Sequence, residues 1–270
     1  MGSIPTGATW RLYMQLKELR DQIRLLPPVL TGHDFWKVTR NVFRNWVLSF
    51  DPSQGSFRDC PAVAMTMETG NAEYIMQTEL PRVSERVRSV VNKKEDGTYY
   101  GNMLHHAYHV CKFEDASKKD VSSFSSILEY GAGYGNTCEL VHKLGFKGDY
   151  YICDFPEFGF LQKFYLEEQG IDTSKIVWNP PTTPDVDFFI AEWSLSETPH
   201  HERKHSGYEA CAKNYLLAFQ HTFKESDNHF KTVLNRDYFN GFKKENVDMT
   251  WNEEVIEHLP NSSYLFGFQQ

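Results

Sequence analysis

The stretch Ile127-Leu128-Glu129-Tyr130-Gly131-Ala132-Gly133-Tyr134-Gly135-Asn136 constrains this 270-residue chain more than any other. Ile127 to Tyr130 reads as a strand that ends in a glycine-rich turn, and Asn136 to Leu144 as a short helix that stops at Gly145. Glycines at that point let the backbone turn tightly and come close to a ligand. The spacing is GxGxG, whereas a dinucleotide fold wants GxGxxG so that a pyrophosphate can sit on the helix N-terminus. Glu129, two residues before Gly131, suits a pyrophosphate poorly and a cationic ligand with an amino group well. Taken alone, a glycine turn is also just a tight connection. Its place between strand and helix gives it weight.

The same rhythm continues downstream. Tyr150 to Cys153 reads as a strand ending at Asp154, Phe158 to Gln169 as a helix closed by Gly170, and Lys175 to Trp178 as a strand. Val186 to Ala191 is continuously apolar, as a strand covered on both faces would be. A helix over His200 to Cys211 and a strand over Tyr215 to Phe219 follow. The tail reads as a helical stretch near Phe230–Phe239 and two strands, Val247–Ile256 and Tyr264–Gln269, which the turn Leu259-Pro260-Asn261-Ser262 makes an antiparallel hairpin. Alternating strands and helices mean an open α/β sheet with right-handed crossovers.

Upstream the texture differs. Trp10, Leu12, Tyr13, Leu16, Leu19, Ile23 and Leu26 recur at helical spacing until Pro27-Pro28. Phe35 to Val47 makes a second helix, Ala72 to Val91 a third interrupted by Pro81, and Met103 to Phe113 a fourth. Glu114 to Ser126 is polar and reads as a linker. The expected organisation is a helical cap and substrate-binding region over 1–124 and a catalytic α/β domain over 125–270. Charge divides likewise: residues 1–125 hold 16 basic against 14 acidic residues, net +2, and residues 126–270 hold 12 against 22, net −10. An acidic chain, net −8, lacks the basic face that nucleic acid demands. No apolar run approaches the roughly 18 residues that would span a membrane. Cys60, Cys111, Cys138, Cys153 and Cys211 are odd in number and never form a CxxC pair. A cytoplasmic, reducing setting is expected, with no secretory signal. Met1-Gly2-Ser3-Ile4-Pro5-Thr6 fits a lipidation pattern by its letters. A homo-oligomer stays open.

Asp154 lies about twenty residues after the glycine turn, where an acid can bind both hydroxyls of a ribose. Glu129, Gly131, Gly133, Gly135 and Asp154 together resemble the class I S-adenosylmethionine-dependent methyltransferases. With Asp154-Phe155-Pro156-Glu157, Trp193-Ser194-Leu195-Ser196-Glu197-Thr198-Pro199, Thr66-Met67, Ala72-Glu73-Tyr74-Ile75 and His105-His106-Ala107-Tyr108-His109, the chain over roughly 35–270 resembles the sugar O-methyltransferase family. That resemblance implies a Rossmann-like, seven-stranded sheet with an N-terminal helical cap. It implies S-adenosyl-L-methionine as cofactor and methyl transfer to a hydroxyl of a sugar, nucleotide-sugar or glycan.

Ligands of an open parallel sheet bind beyond the C-terminal strand ends. The expected cofactor contacts there are Glu129, Gly131, Ala132, Gly133, Gly135, Asn136, Asp154, Phe155, Asn179, Glu192, Trp193 and Ser194, with Tyr108 as a stacking surface. Methyl transfer to a hydroxyl is an in-line displacement that needs a base. The base candidates are Glu197, His105, His106, His109 and His221. Ser194 and Glu197 have capping-box spacing, which would give Glu197 a structural role instead. His201 and His205 are four residues apart, as two metal ligands on a helix would be, but the stretch reads as a solvated face, and no metal is assigned. Asn179-Pro180-Pro181-Thr182 is close to the Asn-Pro-Pro-aromatic turn that amino-methyltransferases carry at the fourth strand. Here it follows the third, which makes it an adenine-side loop. Small-molecule N- or phenol O-methylation, and cofactor binding without transfer, remain alternatives.

Overall fold

The computed structural model describes residues 7–29, 34–50, 63, 71–200, 202–203, 212–225 and 231–269. The His201/His205 pair, the body of the His200–Cys211 helix, Thr66-Met67, the Met1–Thr6 pattern, Cys60 and Cys211 lie outside these residues.

The half after residue 125 is an α/β sheet as expected. Its strands are β1 (Ser126–Tyr130), β2 (Asp149–Cys153), β3 (Ile176–Trp178), β4 (Phe188–Glu192), β5 (Asn214–Gln220), a separate hairpin β6 (Thr222–Glu225) and β7 (Lys231–Leu234), then β8 (Met249–Ile256) and β9 (Leu259–Gln269). The main sheet has seven strands in the order β3-β2-β1-β4-β5-β9-β8. The first five are mutually parallel, and β9 runs antiparallel between β5 and β8. The strand order reverses at β1 and β4, the switch point where a ligand crevice opens in such sheets.

Period-two alternation sends each strand's residues to two cores. Ile127, Phe188, Ile190 and Leu216 face one, and Leu128, Phe189, Ala191 and Leu217 face the other. Hence the strands read as continuous apolar runs.

The first face is covered largely by the N-terminal helices α1 (Gly7–Leu25), α2 (Asp34–Ser49) and α5 (Gly101–Ser117). Their Leu16, Leu19, Phe43, Val47, Leu104 and Phe113 belong to one buried cluster with Ile127, Tyr150 and Phe188. α1 packs on α2 and on α7 (Pro156–Glu168), and α5 packs on α6 (Asn136–Lys143). The second face is covered by α8 (Ser194–Glu197) and α9 (Asn235–Glu245).

Four local expectations change. The third helix is not one helix: residues 72–82, α3, begin as α, widen to π over Ile75–Glu79 and tighten to 3-10 over Leu80–Arg82. Pro81 has no N–H to donate and its ring crowds the carbonyl four residues back, so the ladder cannot run straight through. A short α4 (Glu85–Arg88), capped by Ser84, follows. The 114–126 segment is no loose linker: α5 extends to Ser117, and Val121 is fully buried. The stretch near Phe230–Phe239 is strand to Leu234 and helix only from Asn235. Leu259-Pro260-Asn261-Ser262 lies inside β9, and the turn is Glu257-His258. Pro260 is tolerated near that strand's start.

Candidate active site

A cavity of about 450 Å³ opens at the C-terminal ends of β1, β2 and β4. That volume lies within the range of small-ligand sites. Its floor is the glycine turn. Gly131 and Gly133 hold φ of +75° and +58°, which side chains rarely adopt. A Cβ on Gly131 would overlap Ser194 Cβ, whose hydroxyl donates to the Tyr130 carbonyl. The two loops of the switch point therefore touch through a glycine. A Cβ on Gly133 would meet nothing, so that position is open. Gly131→Ala should thus separate the β1 and β4 loops and abolish ligand binding, whereas Gly133→Ala should meet only backbone strain. Binding of S-adenosylhomocysteine, measured by calorimetry on both variants, checks the ranking.

Asp154 ends β2 with its carboxylate anchored. Oδ1 accepts from the Phe155 N–H at 2.7 Å, and Oδ2 from the Gly133 N–H at 3.1 Å and Gln162 Nε2 at 2.8 Å. Its own N–H donates to Asn179 Oδ1 at 3.0 Å, and Asn179 takes φ +48° to reach it. Asp154 thus links the glycine turn to the loop after β3. Burial pushes its carboxyl up to about 7 despite these donors. Glu129 is buried, accepts from the Tyr150 hydroxyl at 2.7 Å, and is pushed up to about 8 by burial. Two acids with raised pKa values in one cleft mark a place where a cationic ligand would hold them ionised.

On the β4 side Trp193 sits at φ +73°. Glu192 is nearly buried, its Oε1 at 2.6 Å from His109 Nδ1 and its Oε2 accepting from Thr137 Oγ1 at 2.6 Å. Burial alone would raise Glu192, but the charge His106 carries when protonated and the hydrogen bond from His109 outweigh it and hold the carboxylate below the usual range. His106 lines the cavity. Its Nδ1 lies 3.0 Å from Asn136 Nδ2 and 3.8 Å from Glu192 Oε2. With the amide donating to Nδ1, the neutral ring carries its proton on Nε2.

Glu197 also lines the cavity, and its Oε1 accepts from Gln220 Nε2 at 3.2 Å. The capping box does not form: Trp193 is the N-cap residue and makes no side-chain cap bond, while Ser194 reaches Tyr130 instead.

Of the residues expected from sequence, Glu129, Gly131, Ala132, Gly133, Asn136, Asp154, Phe155, Asn179, Glu192, Trp193, Ser194, Glu197 and His106 line this one cavity. Four others do not. Gly135 sits one step back, as the N-cap of α6 at φ +102°. His105 is turned about 100° from His106 on α5 and is buried against Glu79, with Nδ1 2.7 Å from Oε2. Tyr108 shares that side and lines a separate small cavity. His221 Nε2 lies 2.8 Å from Ser263 Oγ at the β5–β9 pair.

Sequence reasoning missed the contribution of α2. Trp36, Lys37, Thr39 and Arg40 line the cavity. Arg40 lies over the Phe155 ring at 4.3 Å and forks onto Glu157, with Nε to Oε1 at 2.6 Å and Nη2 to Oε2 at 3.1 Å. Only the position of Glu157 in the first turn after Asp154-Phe155-Pro156 hinted that it would matter.

No protein-family model matches the chain, and no curated protein matches it. Among solved structures, the N-terminal domain of EvdMO1 in the presence of SAH and D-fucose is similar at 11% identity and a TM-score of 0.45, over 75% of this chain and 97% of that one. A precorrin-6y C5,15-methyltransferase from Geobacter metallireducens is similar at 12% identity and 0.43, over 70% and 100%. A ribosomal protein L11 methylase from Lactobacillus delbrueckii subsp. bulgaricus is similar at 12% and 0.42, over 62% and 79%. Likenesses this distant assign no role to any residue. The fold rests on the strand order and register above.

Proposed function

We propose that the protein is an S-adenosylmethionine-dependent methyltransferase that methylates a hydroxyl of a sugar, nucleotide-sugar or glycan. The observation that carries the transferase reading is the convergence of the glycine turn, Glu129 and Asp154 in one cavity at the β1/β4 switch point. The residues fit the cofactor. Asp154 is placed for a ribose, Gly133 leaves open space for close approach, and Glu129 offers negative charge to an ammonium. When bound, the cofactor would supply an electrophilic methyl on a sulfonium, its sulfur becoming a neutral thioether once the methyl is gone.

The chain's own work is to align and deprotonate the acceptor. Glu197 is the base in this proposal, because it faces the cavity with carboxylate oxygens to accept a proton. Glu197 would take up the hydroxyl proton that the acceptor oxygen loses on being methylated. His106, with Nδ1 engaged and Nε2 protonated, donates a hydrogen bond and so positions rather than abstracts. Support for a sugar comes from the WSLSE resemblance and from a wall that mixes rings with polar groups: Trp36, Trp193 and Tyr130 beside Thr39, Asn102 and Glu202. Such a wall can stack on a sugar ring and hydrogen-bond its hydroxyls. The Asn-Pro-Pro turn follows β3, not β4, which takes away the observation that favoured N-methylation.

Glu197→Gln should lower turnover by about 10²–10⁴-fold while leaving S-adenosylhomocysteine affinity unchanged. A screen of sugars, amines and phenols, with methylated product identified by mass, tests the acceptor class. Unchanged turnover in Glu197→Gln removes the base assignment. Product only from amines or phenols removes the sugar, and none from any acceptor leaves a cofactor-binding module.

A further inference from the structure

A second group of polar side chains lies away from the main cavity. Glu79 stands at the end of the π segment of α3, His105 on α5, and His258 in the β8–β9 turn. Each offers one ligand atom, and these atoms all lie within 4.8 Å of one another. The three side chains are 3%, 4% and 6% exposed. His258 Nδ1 is 3.4 Å from Glu79 Oε1 and makes no hydrogen bond among the described residues, and the buried Tyr264 hydroxyl also has none among them. Glu79, His258, Tyr264, Tyr108 and Lys112 line a cavity of about 40 Å³. Leaving buried polar atoms unpartnered is costly, so two of them on residues lining one small space point to an occupant.

The donor set selects it. Two imidazoles and a carboxylate are ligands for a zinc-like transition-metal ion, whereas magnesium and calcium take oxygen ligands. Across a tetrahedral zinc-like ion, ligand atoms lie about 3.4 Å apart, so the widest gap here must close by roughly 1.4 Å. An outer shell is already in place. His105 Nε2 is 2.9 Å from His109 Nε2, and His109 Nδ1 is 2.6 Å from Glu192 Oε1. A metal-bound histidine typically hands its other ring N–H to an acceptor that fixes its orientation, and here the chain ends on a carboxylate.

We propose that Glu79, His105 and His258 form a site for one zinc-like divalent ion, with Tyr264 and the small cavity at its open side. The ion clamps the β8–β9 turn to the N-terminal helices. This site stands or falls independently of methyl transfer, since none of its three ligands lines the main cavity.

The test uses the full chain without an affinity tag, stripped by chelator and titrated with zinc alone in a calorimeter. One equivalent should bind. Binding should weaken at least about a hundredfold in His258→Ala and in Glu79→Gln, and zinc should raise the melting temperature of the wild type only. Cobalt(II) in the wild-type protein should give the intense visible absorption of a four-coordinate site, a readout that does not depend on whether the variants fold. Absence of saturable zinc binding, an octahedral cobalt spectrum, or undiminished binding in both folded variants (as when His201 and His205 hold the ion) would overturn the site and leave a buried water in the small cavity.

Discussion

Replacing Asp154 by alanine should weaken S-adenosylhomocysteine binding by about ten- to a hundredfold. Hydrogen bonds to a charged partner contribute about 1.5–3 kcal/mol, and every 1.4 kcal/mol is tenfold. The loss should reach the top of that range, because the carboxylate also holds the Gly133 N–H and Gln162 in place. The pH dependence carries a separate signature. Asp154 is pushed up to about 7 and Glu129 to about 8. Both must be ionised to accept from a ribose and to pair with an ammonium. Affinity should therefore rise as pH increases from 6 to 9, with protons released on binding. In the unliganded protein the sign is opposite. A carboxyl whose folded pKa is raised contributes stability below its unfolded value, near 4, and that contribution disappears as pH passes through 7 to 8. Ligand should protect most at alkaline pH. Asp154→Asn should remove the affinity rise around pH 7 and keep the one around pH 8. Calorimetry in buffers of different ionisation enthalpy measures both effects. A pH-independent affinity in the wild type would show that neither carboxyl meets the ligand.

The second large effect is on stability. Glu157 is completely buried at the start of α7, where it receives Arg40 and Arg44, the latter through Nε at 3.1 Å. These contacts hold its carboxylate below the usual range against the burial that would raise it. Glu157→Ala would leave two guanidinium groups, only 15% and 11% exposed, facing a void. Removing one partner of such a buried pair costs about 3–5 kcal/mol. Arg44 keeps one partner, the Pro27 carbonyl at 2.5 Å, so the lower half of that range is expected. Urea unfolding reads it directly, and a change below about 1 kcal/mol would mean that water replaces the carboxylate freely. The same substitution releases Arg40 from Phe155, and with it the α2 wall of the cavity, so ligand affinity should fall together with stability.

Much of the α/β half was legible because its signals are local. A strand, a glycine turn and a helix occupy consecutive residues, and an acid at the next strand end follows within about 25. Counting strands correctly put Asn179 after β3. Doubly covered strands announced themselves as unbroken apolar runs. The misplaced hairpin turn shows the limit of that logic. Leu259-Pro260-Asn261-Ser262 has turn composition, yet β9 runs through it, with Leu259 paired to Ile256 of β8 and Ser262 to Gln220 of β5. Pairing at the two ends of the stretch outweighs its local propensity.

The histidines of α5 show the same limit at the site. The letters His105-His106-Ala107-Tyr108-His109 promised function without saying which ring faces what. A helix turns about 100° per residue, so its rotation against the sheet decides that His106 meets the cavity while His105 and His109 point toward Glu79 and Glu192. In that rotation Leu104, Val110 and Phe113 are buried in the core of the first face. What the sequence determined alone was the run of elements from β1 to β4, the strand β5, the glycine floor and the acids at the strand ends. These depend on backbone preferences and spacing within a few turns of chain. Only the tertiary structure decided that α2 walls the cavity, that Arg40 reaches Glu157 across 117 positions, and that Glu79 and His258 converge on His105. Such pairs are far apart along the chain and are brought together by packing helices against one face of the sheet, which no local pattern encodes.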